Sequence, residues 1–168
     1  MTVRWQEDAE YLELVADLIY TDEVQNLVEF KQHHYSNRLE HSINVSYRSF
    51  LLAKKWNGDL RATARAGLLH DLFHYDWRTN KSDEGSHAYI HPRVALENAR
   101  KLTKISKLEE DIIVKHMFGA TIAPPKYKES YIVTLVDKYC ACEEVFVPLY
   151  QQVKIKAYQY FGLANVNV

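Results

Sequence analysis

The sequence is poor in residues that break or cross-link a chain: its 168 residues include only 2 cysteines, 4 prolines and 5 glycines. Cys140 and Cys142 are two positions apart, on different sides of a helix, so they fit neither a CxxC motif nor a natural disulfide. The few glycines and prolines argue against a sheet with many tight turns and favour long helices. No apolar run approaches the roughly 18 residues of a transmembrane helix. An all-α protein is therefore expected.

The sequence also lacks an excess of either charge, since its formal net charge is −1 at pH 7. Without a basic surplus, the composition predicts neither nucleic-acid binding nor membrane binding. The first residues, MTVRWQEDAE, contain no apolar signal-peptide core, and a cytoplasmic location is expected. The length and the hydrophobic content of 47% favour one globular domain over residues 1–168.

Hydrophobic periodicity predicts a row of helices in the first half of the chain. Two helices are expected near residues 6–19 and 22–31. A long helix is predicted from Arg38 to Trp56, closed by the Asn-Gly pair that follows it. Asp59 is expected to cap the next helix, which runs to about Tyr75.

The second half is predicted to begin with a loop, because residues 76–90 are mostly polar. Pro92 suits the first position of a helix that ends near Leu102, with His91 as its N-cap. A helix over residues 107–118 is expected after an N-cap at Ser106. The last long helix is predicted over residues 129–146, and a shorter one after Pro148.

Several polar residues occupy positions where the helical period places core hydrophobes. Residues three, four or seven positions apart share one helix face, and three such stripes of apolar residues each include a polar one. A further polar pair closes the apolar run ARAGLLHD. The polar residues in question are His41, His116 and Asp137 in the stripes, and His70 and Asp71 in the pair.

Two interpretations of these five residues are open. In one, each is a separately satisfied core residue. In the other, they share a cation, because buried carboxylates need cations or donors and the stripes contain no Lys or Arg on the same faces. Imidazole nitrogens and carboxylate oxygens suit Zn, Mn, Fe, Ni or Co. The pattern therefore favours a divalent metal site.

The order of these residues resembles the HD-domain superfamily of metal-dependent phosphohydrolases. The pattern of that superfamily is one histidine, an adjacent His-Asp pair and a distant aspartate. Here these fall in RLEHSINVSYRSFLLAKKW, ARAGLLHDLFHYDW and IVTLVDKYCA. The resemblance covers roughly residues 30–147. It implies a single-domain HD-type bundle of about six to eight helices, with N- and C-terminal helices packed on the metal-site core.

Two more histidines, in HPRVALENA and IVKHMF, match the dinuclear branch of the superfamily. The sequence LFH follows the His-Asp pair where the HDIGK variant has IGK, and no GYP motif is present. Both departures argue against cyclic-di-GMP as the substrate. By resemblance, one ion is bound by His41, His70, Asp71 and Asp137, and a second by Asp71, His91 and His116, with Asp71 as the bridge.

The resemblance implies hydrolysis of a phosphate ester or anhydride, in a nucleotide or small metabolite, by a metal-bound hydroxide. Two divalent ions are the expected cofactors, Fe or Mn before Co, Ni, Zn or Mg. The expected partner is a small phosphorylated metabolite or nucleotide, and the sequence leaves open whether the chain forms a homodimer. The alternatives are a dinuclear-iron oxygenase of the inositol-oxygenase type and a non-catalytic nucleotide-binding or regulatory module.

Three residues are candidates for a catalytic role: Asp71, His74 and Arg38. His74 lies one turn after His70 and is either a phosphate contact or proton donor, or a surface histidine. Arg38 is either a phosphate ligand or the partner of a surface acid such as Glu7.

Other residues near the motifs have weaker assignments. His87 either lines the site or belongs to a loop, and Lys138 is expected in a salt bridge. The adjacent histidines His33 and His34 are interpreted as unrelated to metal binding. The cleft is expected to be bordered by Tyr75, Asp76 and Trp77.

Overall fold

The computed structural model describes residues 4–32, 36–76 and 86–160, and these residues form an all-α protein without a β-sheet, as expected. Two short 3₁₀ segments, Trp5–Glu7 and Asn26–Glu29, accompany the α-helices. The seven α-helices of the described residues are α1 (Ala9–Ile19), α2 (Asp22–Gln25), α3 (Arg38–Lys55), α4 (Leu60–Leu69), α5 (His87–Leu102), α6 (Lys107–Lys115) and α7 (Lys128–Tyr160).

Helix α4 is the centre of the fold, and every residue from Ala62 to Leu69 is buried. It packs against α1, α3 and α6. A Cβ at Gly67 would lie 3.0 Å from the Cα of Ser46 on α3, so only glycine permits this approach of the two backbones. The hydroxyl of Ser46 donates a 2.6 Å hydrogen bond to the carbonyl oxygen of Ala64. These contacts hold the α3–α4 pair together, and with it the polar residues that each helix carries.

The predicted helix starts are confirmed at two caps. The side chain of Asp59 accepts a 2.9 Å hydrogen bond from the backbone N–H of Ala62, which caps α4. Ser106 and Glu109 form a capping box at the start of α6. After α3, Asn57 adopts a positive φ of 51°, which turns the chain out of the helix.

The predicted start of α5 is wrong. The helix begins at His87, with Ser86 in the N-cap position, so residues 87–90 are helical and His91 is an internal residue. Pro92 lies inside the helix, where it removes one backbone hydrogen bond without ending the helix. The polar composition before Pro92 predicted a loop. The spacing of four residues between His87, His91 and Ala95 places them on one helix face, and this was the better indication of the structure.

Helix α4 ends at Leu69, earlier than the predicted Tyr75. Tighter bonds replace the helical ones here, since the N–H of Leu72 donates to the carbonyl oxygen of Leu69 at 3.2 Å and that of Phe73 to Asp71 at 2.8 Å. The predicted helix over residues 22–31 is likewise reduced to the four residues of α2 and a 3₁₀ segment.

Helix α7 is continuous for 33 residues and passes through Pro148, where a break was predicted. The proline removes one backbone donor, but the surrounding turns are largely exposed, so water can satisfy the carbonyl that loses its partner. Despite the length of α7, none of the helices in the described ranges is long and apolar enough to cross a bilayer.

Candidate metal centre

Six residues from five helices meet in one buried cluster. His41 comes from α3, His91 from α5 and Asp137 from α7, while the others lie at or just after the ends of α4 and α6. Each is buried, and the most accessible of them is only 9% exposed. The structure therefore brings together the five residues that the helical period indicated and the sixth, His91, that the family resemblance added: His41, His70, Asp71, His91, His116 and Asp137.

Asp71 lies at the middle of the cluster. Its Oδ1 is 3.3 Å from Nε2 of His91 and 3.6 Å from Nε2 of His116. Its Oδ2 is 3.7 Å from Nε2 of His70. One carboxylate thus faces imidazole nitrogens from three different helical segments.

Asp137 organises the other end of the cluster. Its Oδ1 is 3.0 Å from Nε2 of His41 and 3.6 Å from Nε2 of His70. Ligand atoms within 4.8 Å of one another form three overlapping sets in the described residues. These sets are His41, His70 and Asp71; His70, His116 and Asp137; and Asp71, His91 and His116.

Backbone carbonyl groups determine which ring nitrogen carries the proton in three of the histidines. Nδ1 of His70 is 2.8 Å from the carbonyl oxygen of Gly67, Nδ1 of His91 is 2.8 Å from that of His87, and Nδ1 of His116 is 2.7 Å from that of Ile113. A carbonyl oxygen only accepts, so each Nδ1 donates and each neutral ring presents the lone pair of Nε2 to the cluster.

In the neutral rings, these Nε2 lone pairs converge without a donor between them. Burial alone would lower the pKa of His70, but Asp71 and Asp137 outweigh it and raise that pKa, so the site attracts positive charge. The Nε2 atoms of His91 and His116 are 2.9 Å apart, and two unprotonated nitrogens at that distance repel each other. Nε2 of His70 and Oδ1 of Asp71 are buried without a hydrogen-bond partner in the described part of the chain. A cation between these atoms would satisfy them all, so the residues present fit a divalent metal ion.

His41 is held differently, because its Nδ1 donates to the carboxylate of Glu144 at 2.9 Å. Burial alone would lower the pKa of His41, but the hydrogen bonds to Asp137 and Glu144 outweigh it and raise the pKa to about 10. Without a metal ion, the ring is therefore protonated on both nitrogens and donates to the carboxylates of Glu144 and Asp137. Either that proton or a metal ion supplies the positive charge that the carboxylates require.

His116 has the opposite electrostatics. Burial, with the neighbouring His70 and His91, lowers the pKa of His116 to about 3. Burial raises the pKa of Asp71, but the surrounding histidines His70, His91 and His116 hold it well below its usual value. A neutral imidazole and an ionised carboxylate are the protonation states in which these groups bind a metal ion.

Two supporting residues were missed by the sequence pattern. The amide of Gln32 donates to Oδ2 of Asp71 at 2.5 Å, and Glu144 binds His41 as described. Glu144 lies seven residues after Asp137, two turns on along the same face of α7, so the helical period carried a signal for it. Gln32 precedes α3 in an irregular segment, where no period identifies it.

A Glu144→Gln variant should bind Mn(II) about 10- to 100-fold more weakly, because a carboxylate that orients a ligating histidine also raises its basicity. Competition with a fluorescent chelator measures the affinity. The matched control is Glu143→Gln, since Glu143 instead pairs with Arg48 at 2.7 Å. Equal affinity in the two variants would contradict the role of Glu144.

Arg38 lies behind the cluster and is fully buried. Its guanidinium lies 3.6 Å from the centre of the Phe73 ring and donates to the carbonyl oxygen of Phe73 at 2.5 Å. Nε of Arg38 donates to the side-chain oxygen of Gln32 at 3.0 Å. The structure thus gives Arg38 partners other than a phosphate or a surface acid, and connects it to Asp71 through Gln32.

His74 lies outside the cluster. Its ring is exposed, with Nε2 2.7 Å from the carbonyl oxygen of Glu23, and it packs against Phe30. The helix ends before His74, so the spacing of one turn from His70 does not bring the two side chains to one face. This placement agrees with the surface alternative for His74.

A cavity of about 240 Å³ opens beside the cluster. The ring of His87 stacks on that of His91 with centroids 4.4 Å apart, which places His87 at the cavity as one of its two interpretations expected. Lys138 donates from Nζ to the carbonyl oxygen of His116 at 3.0 Å, in place of the expected salt bridge. The lining residues are Gln32, Asp71, His87, His91, His116, Met117, Asp137, Lys138 and Ala141.

The other residues named from the sequence lie at the edge of the described structure. The ring of Tyr75 contacts the rings of Phe73 and His87, so Tyr75 lies near the cavity. Asp76 is exposed. The remaining three, His33, His34 and Trp77, are outside the described residues.

Four histidines and two aspartates meet inside a helical bundle, and their ligand atoms are suited to divalent metal binding. The model of the HD-domain family matches residues 38–142, and the chain belongs to that family. The HD superfamily includes many metal-dependent phosphohydrolases. Comparison with curated proteins and with solved structures gave no match.

Proposed function

We propose that the protein binds two divalent metal ions and hydrolyses a phosphate ester or anhydride of a nucleotide or small metabolite. The observation that carries the proposal is the position of Asp71, whose Oδ1 faces His91 and His116 while its Oδ2 faces His70. A carboxylate with imidazole nitrogens on both sides suits a bridge between two ions. The resemblance in ligand order supports the same assignment.

In this proposal the ligands divide into two groups that share Asp71. One ion would be held by His41, His70 and Asp137 and the other by His91 and His116, each together with Asp71. The donor set contains nitrogen and oxygen but no thiolate, which suits Fe or Mn, with Co, Ni, Zn and Mg as further candidates. When bound, two such ions supply a hydroxide at neutral pH and positive charge for the phosphoryl oxygens.

The charge of the site favours an anionic substrate. The six ligands contribute two negative charges when the histidines are neutral, so two divalent ions leave a net charge of about +2. The cavity volume of about 240 Å³ is small compared with most ligand pockets and favours a small phosphorylated molecule. A nucleic-acid polymer is not proposed as a partner.

Arg38 and Gln32 act in this account as positioning residues. Arg38 holds the side-chain oxygen of Gln32, and the amide of Gln32 then donates to Oδ2 of Asp71. This hydrogen bond orients the Asp71 carboxylate so that its other oxygen faces His91 on α5 and His116 just after α6. Orientation of a metal ligand by a second residue is a common requirement of such sites.

Lys138 is the residue proposed to bind the substrate. It lines the cavity, and among the described residues it forms no ion pair, so its ammonium group can face an incoming phosphate. A Lys138→Ala variant is expected to raise KM about tenfold, as the loss of one charged hydrogen bond predicts, with both ions retained. Steady-state kinetics and metal content measure this, with Lys107→Ala as an exposed control. An unchanged KM would contradict the role of Lys138.

The proposal is tested by phosphate release. Protein reconstituted anaerobically with Mn(II) or Fe(II) is given a panel of nucleotides and phosphomonoesters. Turnover that disappears in the Asp71→Asn variant supports a metal-dependent phosphohydrolase. No turnover of any compound, with two ions bound per chain, would contradict the proposal and favour the oxygenase or the regulatory alternative.

A further inference from the structure

The outer face of α7 carries an unusual number of exposed apolar side chains. No residue of α7 after Cys140 is buried, although the helix continues for 20 more residues to Tyr160. Phe146 is 63% exposed, Val153 58% and Tyr160 86%. An isolated helical segment of this kind is marginally stable in water, so it requires packing against another surface.

Most of these side chains follow a regular period. At 100° per residue, seven of the ten exposed large apolar side chains of α7 fall within an arc of about 80° on the side opposite Asp137, whereas Val147, Tyr150 and Ile155 lie outside it. Most of the separations along the chain are four and three residues, which is the spacing of a coiled-coil seam. The residues of this outer seam are Tyr131, Leu135, Tyr139, Cys142, Phe146, Leu149, Val153 and Tyr160.

We infer that the outer seam of α7 is a dimer interface and that its partner is the same seam of a second copy of this chain. A repeat of four and three residues supplies both the knobs and the holes of a helix pair, so two identical helices complement each other. This inference concerns the face of α7 away from the metal cluster and does not depend on the proposed reaction.

The exposed area is large enough for a specific interface. The four aromatic side chains of the seam are 41% to 86% exposed. At about 200 Å² for each side chain, they would contribute about 500 Å² from each copy. Two copies would therefore bury about 1,000 Å² through the aromatic residues alone, which is the least area expected of a specific interface, and the aliphatic side chains of the seam add to it.

A second copy of the same helix matches the outer seam in length. From Tyr131 to Tyr160 the seam is about 44 Å long at 1.5 Å per residue. A second α7 has the required length and the matching period.

The inference is tested by the mass of the metal-loaded protein in solution. Light scattering after size-exclusion chromatography should give twice the mass of one chain at micromolar concentration. The double variant Phe146→Glu with Val153→Glu should give the mass of one chain, with the far-UV circular dichroism of the metal-binding domain and the metal content retained. The matched control is Gln151→Glu with Ile155→Glu, which places the same charges on the opposite face of α7 and should leave the dimer intact.

Three results would overturn the inference. The first is a monomeric wild type, whether or not it binds phosphatidylcholine vesicles. The second is a seam variant that remains dimeric, and the third is a control pair that dissociates as readily as the seam pair.

Thiol labelling of the wild type provides a second test that needs no variant. Cys142 lies in the seam and Cys140 is buried, so labelling should slow as the protein concentration rises. A rate independent of concentration would also overturn the inference.

Discussion

An Asp71→Asn variant is expected to lose phosphate release by about a thousandfold or more. The amide is neutral and presents only one oxygen, so it cannot bridge two cations as a carboxylate does. Metal-ion catalysis contributes several kcal/mol to the stabilisation of a transition state, and each 1.4 kcal/mol is about a factor of ten in rate. The measurement is kcat/KM for the best substrate of the panel, with Mn(II) in excess.

The control for this variant is Asp22→Asn, which makes the same chemical change at an exposed residue of α2. It should keep the activity of the wild type, and both variants should keep the helical circular dichroism. An Asp71→Asn variant that retains wild-type activity would show that the measured turnover does not arise from this cluster.

Removal of the metal ions is expected to lower the melting temperature by about 10–20 °C. Each ion at a hundred times its dissociation constant stabilises the folded state by about 2.7 kcal/mol, so two ions contribute about 5.4 kcal/mol, and each kcal/mol shifts the melting temperature of a chain of this size by about 2–4 °C. The physical reason is the convergence of unprotonated nitrogens, since Nε2 of His91 and Nε2 of His116 are only 2.9 Å apart. Differential scanning calorimetry before and after EDTA measures the shift.

The same experiment on an Asp71→Asn variant separates binding at the cluster from binding elsewhere. The shift should become smaller in this variant, because both proposed groups of ligands lose the shared carboxylate. Addition of Mn(II) to the EDTA-treated wild type should restore the original melting temperature. A melting temperature that does not respond to EDTA or to Mn(II) would contradict a structural contribution of bound ions.

Five of the six residues of the cluster were predictable because metal ligands must be buried and polar at once, whereas His91 was identified only through the family resemblance. His41, His116 and Asp137 are polar residues at positions where the helical period predicts buried apolar ones. This disagreement can be detected in the amino-acid sequence alone. The caps of α4 and α6 were predictable for a related reason, since Asp59 and Ser106 bond to backbone groups only three residues away. Hydrogen bonds between residues close together in the chain can therefore be predicted from the sequence.

The supporting residues depend on contacts between distant parts of the chain. Gln32 reaches Asp71 across 39 positions, and Arg38 reaches the carbonyl oxygen of Phe73 across 35. Neither contact has a period or a motif. The position of His74 depends on where α4 ends, and the tighter turn after Leu69 was not visible in the apolar pattern.

Prolines were the main source of error in the predicted helices. Both Pro92 and Pro148 lie within helices in the structure, whereas each was assigned to a helix start or a break. A proline costs one backbone hydrogen bond, and packing or exposure elsewhere along the helix can outweigh that cost. The misplaced break at Pro148 also divided the outer seam of α7 into two parts, which hid its period.

The most direct test of the account is the number of ions that the cluster binds. Anaerobic calorimetric titration of the metal-free wild type with Mn(II) should give two ions per chain, and the Asp71→Asn variant should bind fewer and more weakly. Two ions in the wild type, reduced in the variant, would agree with a carboxylate shared between two sites. Absence of binding to the wild type, or binding that is identical in the variant, would contradict the central claim that this cluster is a metal centre organised by Asp71.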